Sequence, residues 1–583
     1  MKRPISIALS ITSLLFLSHC KDAEFLLEDP PSIYTTGNIF STPAQIDQLL
    51  IHNYKNLRDD FTTNTGAWTF RLKGSGSDMY DVPTNRMGSQ FNDYSTISPL
   101  HNTFIQTYSA FYKMINQANL ALSVAEQPQI QWTSNEEKKY ILAQAKFFRA
   151  YGYRCLGEIF GGVPIVTEIA ETPRYDYKRA TRVETYQFAI DDLLEAESDL
   201  PETPSSKGRI SKGAAHHCLS ELYLAQGIEL AANGDHAGAN SAYSKSIEYA
   251  SKLIDGKYAL MDHRFGTRKN ETEVYFGDGF TLSSSNVIDT VATNYYWDLF
   301  QEGNQDHTEN TESIWVAAAD YLSFSGLDKS ARLQHPRNYG GVFRANSGGH
   351  WDSNSTNEDV GGRGITNITP TFYTRDHIYE GKWADDMRNS QVVFRRNIKG
   401  NKPGTPYYGK YVPWDKIYNN DKDRTQCYPI SCKISTDRFT GIEDGQDKSN
   451  LFRGEYLIRL AETILLRAEA KQRMGDKAGA ASDINLLRTR AECGYLVTAS
   501  DMDDDFNLIL DERARELVYE ELRFMTLLRM GGSIAVDRIR EYAFHPQAKA
   551  TLNFHYNLWP IPQEIINLNI AEPMAQNPGW ENR

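Results

Sequence analysis

The sequence predicts a mainly α fold, a scaffold of tetratricopeptide-like helix pairs interrupted by a long loop-rich insertion with few short strands. Three observations predict it. Apolar residues recur at helical spacing towards both ends of the chain, a Gly-Asp turn between two helices occurs twice, and between residues 265 and 450 glycine, asparagine, serine and aromatics replace that periodicity.

The first helix begins at Pro43, behind the hydroxyls of Ser41 and Thr42, and carries Ile46, Leu49, Leu50 and Leu57 on one face. Proline suits the first helical position because its missing N–H would have no partner there. A second helix starts at Ser134 with Glu137 three residues on, a capping box, and runs through Ile141, Ala145, Phe148, Gly152, Cys155 and Ile159 to Gly161-Gly162. Further helices are expected over about 185–200, 211–232 and 236–255. The pattern resumes at Tyr456, with Leu457, Leu460, Ala461, Ile464 and Ala468 sharing a face. Leu517, Glu520, Glu521, Phe524 and Leu528 read as one amphipathic helix within 512–528 whose charges pair along it.

The repeated turns are Gly234-Asp235-His236-Ala237-Gly238-Ala239 and Gly475-Asp476-Lys477-Ala478-Gly479-Ala480. Glycine ends one helix, aspartate suits the N-terminus of the next, and the small residues let the pair pack closely. Their spacing is too irregular for a plain solenoid. In the insertion a strand is plausible at Gln391 to Phe394, and the rest reads as loop; so long a connection inside a domain is usually functional.

Lys2 and Arg3 precede an apolar stretch from Ile5 to Leu17 that is too short to span a bilayer and runs into Cys20, Lys21, Asp22 and Glu24. This reads as a lipoprotein signal, cleaved before Cys20, whose acylated thiol ties a soluble chain to a membrane at ~0.8 kcal/mol per buried methylene. An ordinary secretory signal is the other reading, since His19 replaces the small residue usual before a lipidated cysteine. The chain then divides into 1–19 signal peptide, 20–40 tether, 41–264 N-terminal helical region, 265–450 insertion and 451–583 C-terminal helices and tail. The net charge of -13 repels phosphate backbones and argues against nucleic acid as a partner. With Cys20 taken by lipid the remaining cysteines are odd in number, and only Cys427 and Cys432 lie close enough for a loop disulfide.

Several segments together carry a resemblance. They are Cys20 to Leu26 leading to Pro30; Ala143 to Tyr151 running on to Phe160-Gly161-Gly162-Val163-Pro164; Tyr456 to Ala470; Glu512 to Leu517 with Glu520 and Arg523; and Trp559-Pro560-Ile561-Pro562 with Gln576-Asn577-Pro578-Gly579. The mature chain resembles the SusD/RagB family of nutrient-binding outer-membrane lipoproteins. That resemblance implies a helical scaffold with the ligand on its loop face and a cell-surface lipoprotein that delivers oligosaccharide to a SusC-like TonB-dependent outer-membrane transporter. In some branches of the family the cargo is peptide. Lys21-Asp22 resembles the surface-export signal that follows the lipidated cysteine in such proteins.

No metalloprotease, serine-hydrolase, Walker or dinucleotide motif is present, so a binding protein without enzymatic activity, cofactor or metal is expected. A surface glycoside hydrolase stays as the lesser reading, because 75 acids offer many chance carboxylate pairs. His216-His217 reads as packed histidine. Asp501 to Glu512 mimics an EF-hand loop, but Phe506 stands where the sharp turn needs glycine. Sugar recognition needs flat apolar platforms beside polar groups, because a pyranose offers C–H groups on its face and hydroxyls on its rim. Two clusters are candidates: Trp68, Arg71, Asp78, Tyr80, Asn92 and Tyr94, and in the insertion Tyr296, Trp297, Trp315, Tyr339 and Trp351, several of them expected to be exposed.

Overall fold

The computed structural model describes residues 39–62, 76–83, 89–170, 172–205, 208–276, 287–326, 329, 331–343, 348–351, 361–446 and 448–581. The signal sequence, Cys20 and the export segment therefore lie outside the described residues, as do Trp68 and Arg71. The longer helices are α1 (Pro43–Thr62), α2 (Asn102–Val124), α3 (Asn135–Phe160), α4 (Arg182–Glu197), α5 (Lys212–Ala232), α6 (His236–Ile254), α7 (Leu460–Arg473), α8 (Lys477–Arg490), α9 (Asn507–Leu517), α10 (Arg523–Met530), α11 (Ile534–Tyr542) and α12 (Gln563–Leu568). From α2 to α8 each helix packs on the next, across the whole insertion in the case of α6 and α7. No helix among the described residues is long and apolar enough to cross a membrane.

Caps explain where the helices begin. The Gln45 side chain accepts from the amides of Ser41 and Thr42 at 2.8 and 3.1 Å, closing the start of α1. The Ser134 hydroxyl accepts from the Glu137 amide at 3.0 Å, but the Glu137 carboxylate reaches back to Thr133 instead of closing the box on Ser134. A full reciprocal box forms at Thr181 and Glu184. The two Gly-Asp turns are copies in detail: Gly234 and Gly475 adopt φ of 86° and 83°, and Asp235 and Asp476 accept at 2.8 Å from the amides of Gly238 and Gly479. A Cβ on Gly238 or Gly479 would run into the capping carboxylate, which is why the third helical residue is glycine in both.

Eight short strands occur among the described residues: β1 (Tyr80–Asp81), β2 (Glu273–Phe276), β3 (Asp289–Ala292), β4 (Ser313–Ala317), β5 (Thr369–Pro370), β6 (Phe394–Arg395), β7 (Ile430–Ser431) and β8 (Glu455–Arg459). They pair antiparallel as β1–β5, β2–β3, β4–β8 and β6–β7. Two expectations are corrected here. Tyr456 and Leu457 belong to strand β8, and the helix begins only at Leu460. The helix expected through 528 breaks after Leu517, where Tyr519 takes φ of 64° and its amide donates to the Tyr80 hydroxyl at 2.7 Å.

Segments far apart in sequence meet at the C-terminal end of α3. Trp559 donates its amide to Ile159 at 2.8 Å, and the Asn577 amide side chain bridges the carbonyls of Phe160 and Trp559 at 2.9 and 2.7 Å. Trp559 and Trp580 are buried in the main core with Phe104 and Phe524. The tail thereby locks the helical scaffold.

Candidate functional site

The predicted aromatic candidates among the described residues belong to the core. None of Tyr80, Tyr94, Tyr296, Trp297, Trp315, Tyr339 and Trp351 is more than 3% exposed. Tyr94 donates to the Gly76 carbonyl at 3.1 Å, Tyr296 to Glu516 at 3.0 Å, Trp315 to Gly208 at 2.9 Å and Trp351 to Lys399 at 3.0 Å. Trp297 lies beneath the guanidiniums of Arg264 and Arg268, at 5.8 and 4.5 Å. Tyr339 packs edge-on against Tyr80 and Tyr519. The expectation of exposed platforms is therefore corrected. An irregular segment lacks a repeating apolar face, so large rings with one polar handle supply its core and satisfy loop carbonyls at the same time.

Asn92 is half-buried, its side chain donating to the Val82 carbonyl at 2.8 Å. Asp78 is fully buried and binds Arg523 through two hydrogen bonds of 2.8 and 2.7 Å and Arg538 through one of 3.0 Å. Burial alone would raise its pKa, but the two guanidiniums outweigh that and hold it below the usual carboxylate range.

Sequence reasoning missed a groove that none of the described residues of the first cluster lines. Strand β5 runs from its pairing with β1 into a short helix, Phe372–Arg375, capped by Thr371. Facing it are the end of α11 and the segment after it, docked on the β1 region through the Phe544 amide on Asp81 and the His545 ring on the Val82 carbonyl at 2.9 Å. Between them lies a groove of about 640 Å3. Phe372 is 41% exposed, with its ring 5.6 Å from that of the half-buried Phe544. Tyr373 and Tyr542 stack at 4.2 Å. Asp376, His377, Glu380, Glu541, Arg424 and Lys549 line the groove around these rings.

The platform is anchored from below. Arg538 of α11 lies 4.6 Å from the Tyr373 ring and 4.7 Å from the Tyr542 ring. Its own position is set by Asp78 at 3.0 Å and Asp511 at 2.9 Å, and the Tyr373 hydroxyl donates to Asp511 at 2.5 Å. Burial raises the Asp81 carboxyl to about 6, against the opposing pull of His545. A hint in the sequence was the run of Phe372, Tyr373, Asp376, His377 and Glu380, aromatic and ionisable side chains within one short stretch, echoed by Tyr542, Phe544 and His545.

Other sequence readings resolve simply. His217 is buried, hydrogen-bonded to Thr463 at 2.8 Å, and lowered by burial to about 4; His216 faces Glu197 at 3.0 Å. In the calcium-like stretch Asp501 pairs with Lys382, Asp503 with Lys477, Asp504 accepts from the Leu508 amide and Glu512 sits among arginines, so the carboxylates do not converge. Phe506 holds φ of 69°. Cys427 and Cys432 are free, buried thiols in separate clusters.

A profile of the SusD family matches residues 311–580, and a profile described as starch-binding associating with outer membrane matches residues 24–224. SusD-like protein P2 of Formosa agariphila is 22% identical over 594 residues, covering 98% of either chain. A solved SusD homologue of Bacteroides thetaiotaomicron VPI-5482 superposes with a TM-score of 0.67 at 18% identity, over 94% of this chain and 98% of its own. Surface glycan-binding protein A from Bacteroides uniformis superposes with a TM-score of 0.62 at 18% identity, over 92% and 99%. Both structures share the fold.

Proposed function

We propose that this chain, a SusD/RagB family protein, captures oligosaccharides at the cell surface in the Phe372 groove and passes them to a SusC-like TonB-dependent outer-membrane transporter. The observation that carries the reading is the exposed Phe372 ring beside Phe544 and Tyr542, within a border of carboxylates and cations. The rings meet the C–H face of a pyranose, and the border accepts from and donates to its hydroxyls. A profile described by starch binding and outer-membrane association, and a fold shared with a protein named for binding surface glycans, support the same class of ligand.

The protein acts by binding alone. Asp376 is tied to Arg396 at 2.9 Å and Glu380 to His377 at 3.2 Å, so both serve as held acceptors and not as an acid and a nucleophile. Acylation of Cys20 tethers the mature chain to the outer membrane, and the groove faces the exterior, where polymer is met.

Affinity electrophoresis across a glycan panel, with a peptide library alongside, tests the reading. Stacking contributes ~1–3 kcal/mol per ring, by analogy with stacked bases. Phe372→Ala is expected to weaken glycan binding about tenfold or more while shifting stability by less than ~1 kcal/mol, since the ring is largely at the surface. Wild-type glycan affinity in that variant, or peptide binding in place of glycan binding, would sink the proposal.

A further inference from the structure

A second cleft lies on the helical side of the molecule, between α2 and the C-terminal segment that carries α12, with a volume of about 370 Å3. It differs from the Phe372 groove in the residues that line it. Among the described residues no carboxylate lines it, and its one charged lining residue, Arg174, pairs with Asp176 at 3.0 Å.

Aromatic rings build its walls. Tyr108 and Tyr112 of α2 stand with ring centres 4.8 Å apart, and Tyr177 carries the Arg174 guanidinium 5.1 Å above its ring. Tyr175, at the mouth, is 44% exposed. The opposite wall is apolar, with Ile565 and Leu568 of α12 and with Met574.

Polar groups in the cleft are left uncommitted. The side chains of Ser109 and Asn116 line it without a hydrogen-bond partner among the described residues, as does the Tyr175 hydroxyl. The Tyr108 hydroxyl is fully buried and has no partner of good geometry, although Tyr112 beside it donates to the Pro164 carbonyl at 2.6 Å.

We propose that this cleft is a second saccharide site, independent of the Phe372 groove, that selects uncharged sugar rings. Flat rings and aliphatic groups cover both faces of a pyranose, while neutral amide and hydroxyl groups meet its hydroxyls. Among the described residues the one cation lining the site, Arg174, is already paired with Asp176, so a uronate or sulfate would lose hydration for little return. The proposal extends the glycan reading of the groove but does not depend on it, because the two clefts share no lining residue.

The test uses the full mature chain and its Phe372→Ala variant, titrated calorimetrically with neutral gluco-, manno- and xylo-oligosaccharides and with oligogalacturonates. The Phe372→Ala chain is expected to keep a binding event for at least one neutral series and none for the oligogalacturonates. Adding Tyr175→Ala should weaken that event about tenfold, the low end of what one stacked ring contributes, and adding Asn116→Ala should weaken it less. Because both residues are at the surface, the thermal transition should not move. Three outcomes overturn the second site: no neutral oligosaccharide binding in the Phe372→Ala chain, unchanged isotherms on adding Tyr175→Ala and Asn116→Ala, or tighter binding of oligogalacturonates than of neutral sugars there. Failure of the groove alone would read differently, as wild-type affinity in Phe372→Ala with loss in Tyr175→Ala.

Discussion

Around the break between α9 and α10, three buried glutamates and one half-buried one are cross-linked to arginines and a lysine, whereas in the loop-rich insertion several tryptophans and tyrosines go inside. Glu512 meets Arg388, Arg488 and Arg515; Glu516 meets Arg388, Arg459 and Arg490; Glu520 meets Arg459 and Lys433; Glu521 meets Arg513 and Arg523. Some of the pairs are local, as expected, Glu512 with Arg515 and Glu521 with Arg513 and Arg523, while Arg388 and Lys433 tie the insertion to the scaffold. The ions gather around α9 and the turn that ends it, with Arg388 and Lys433 reaching in from the insertion, while the insertion's own core is filled by large rings. Each follows from what the backbone leaves to be satisfied. A helix has closed its own hydrogen bonds and can present charge inward to fixed partners, while a loop must find side-chain donors for its carbonyls.

The comparison is broken most severely by removing one carboxylate from the ionic centre. Glu516→Ala leaves Arg388, Arg459 and Arg490 sharing too little negative charge in a buried site, and a loss of ~3–5 kcal/mol is expected, read as the drop in denaturant midpoint. Retention of wild-type stability would mean that these ions are solvated. On the other side, Trp351→Ala opens a cavity among Phe343, Ile398 and Val412, and should cost ~3–5 kcal/mol. Glycan affinity in the folded fraction should stay at the wild-type value; a stable variant with lost affinity would restore Trp351 to the ligand face.

Buried glutamates also differ in the sign of their response to pH. Burial and then the charge of Glu221 raise Glu158 to about 8, with Arg154, Arg529 and Arg182 opposing, and neither of its oxygens has a hydrogen-bond partner. Its folded value lies above the unfolded one of ~4.3, so its contribution to stability is full at acid pH and is lost as pH rises through about 8. Glu512 runs the other way: burial would raise it, but Arg388, Arg515 and Arg488 outweigh that and hold it at about 2, so its contribution is present above ~4.3 and lost as pH falls through about 2. Glu158→Gln should therefore flatten the fall in thermal midpoint between about pH 4.3 and pH 8 and leave the limb below that window unchanged. An unaltered slope in that window would place the proton elsewhere. The smallest effect belongs to the repeated turns, where Asp235→Ala and Asp476→Ala should each cost ~1 kcal/mol. Markedly unequal losses would show that the matching geometry hides different surroundings.

Helix positions were largely readable because periodicity and caps are local: Pro43, Ser134 and both Gly-Asp turns start or end helices where expected. Tyr456 was misread because apolar residues at Tyr456, Ile458 and Leu460 alternate as in a strand while Leu460, Ala461 and Ile464 continue as in a helix, and only pairing with β4 decides between them. The break at Tyr519 depends on the distant Tyr80 hydroxyl. The groove was illegible for the same reason. Phe372 and Phe544 lie far apart in the chain, and Asp78 and Tyr80, singled out from the sequence, are buried. Exposure is a property of the assembled chain, and composition does not reveal it.

The clamp on Arg538 bears on the timing of capture. A guanidinium held by Asp78 and Asp511 and covered by two tyrosine rings leaves the platform little to rearrange when sugar arrives. Ordering that is already complete is not charged against binding. Ligands of different fit should then arrive at similar rates and differ in how long they stay. Under the proposed capture and release, residence time is the quantity this arginine leaves adjustable at the rim.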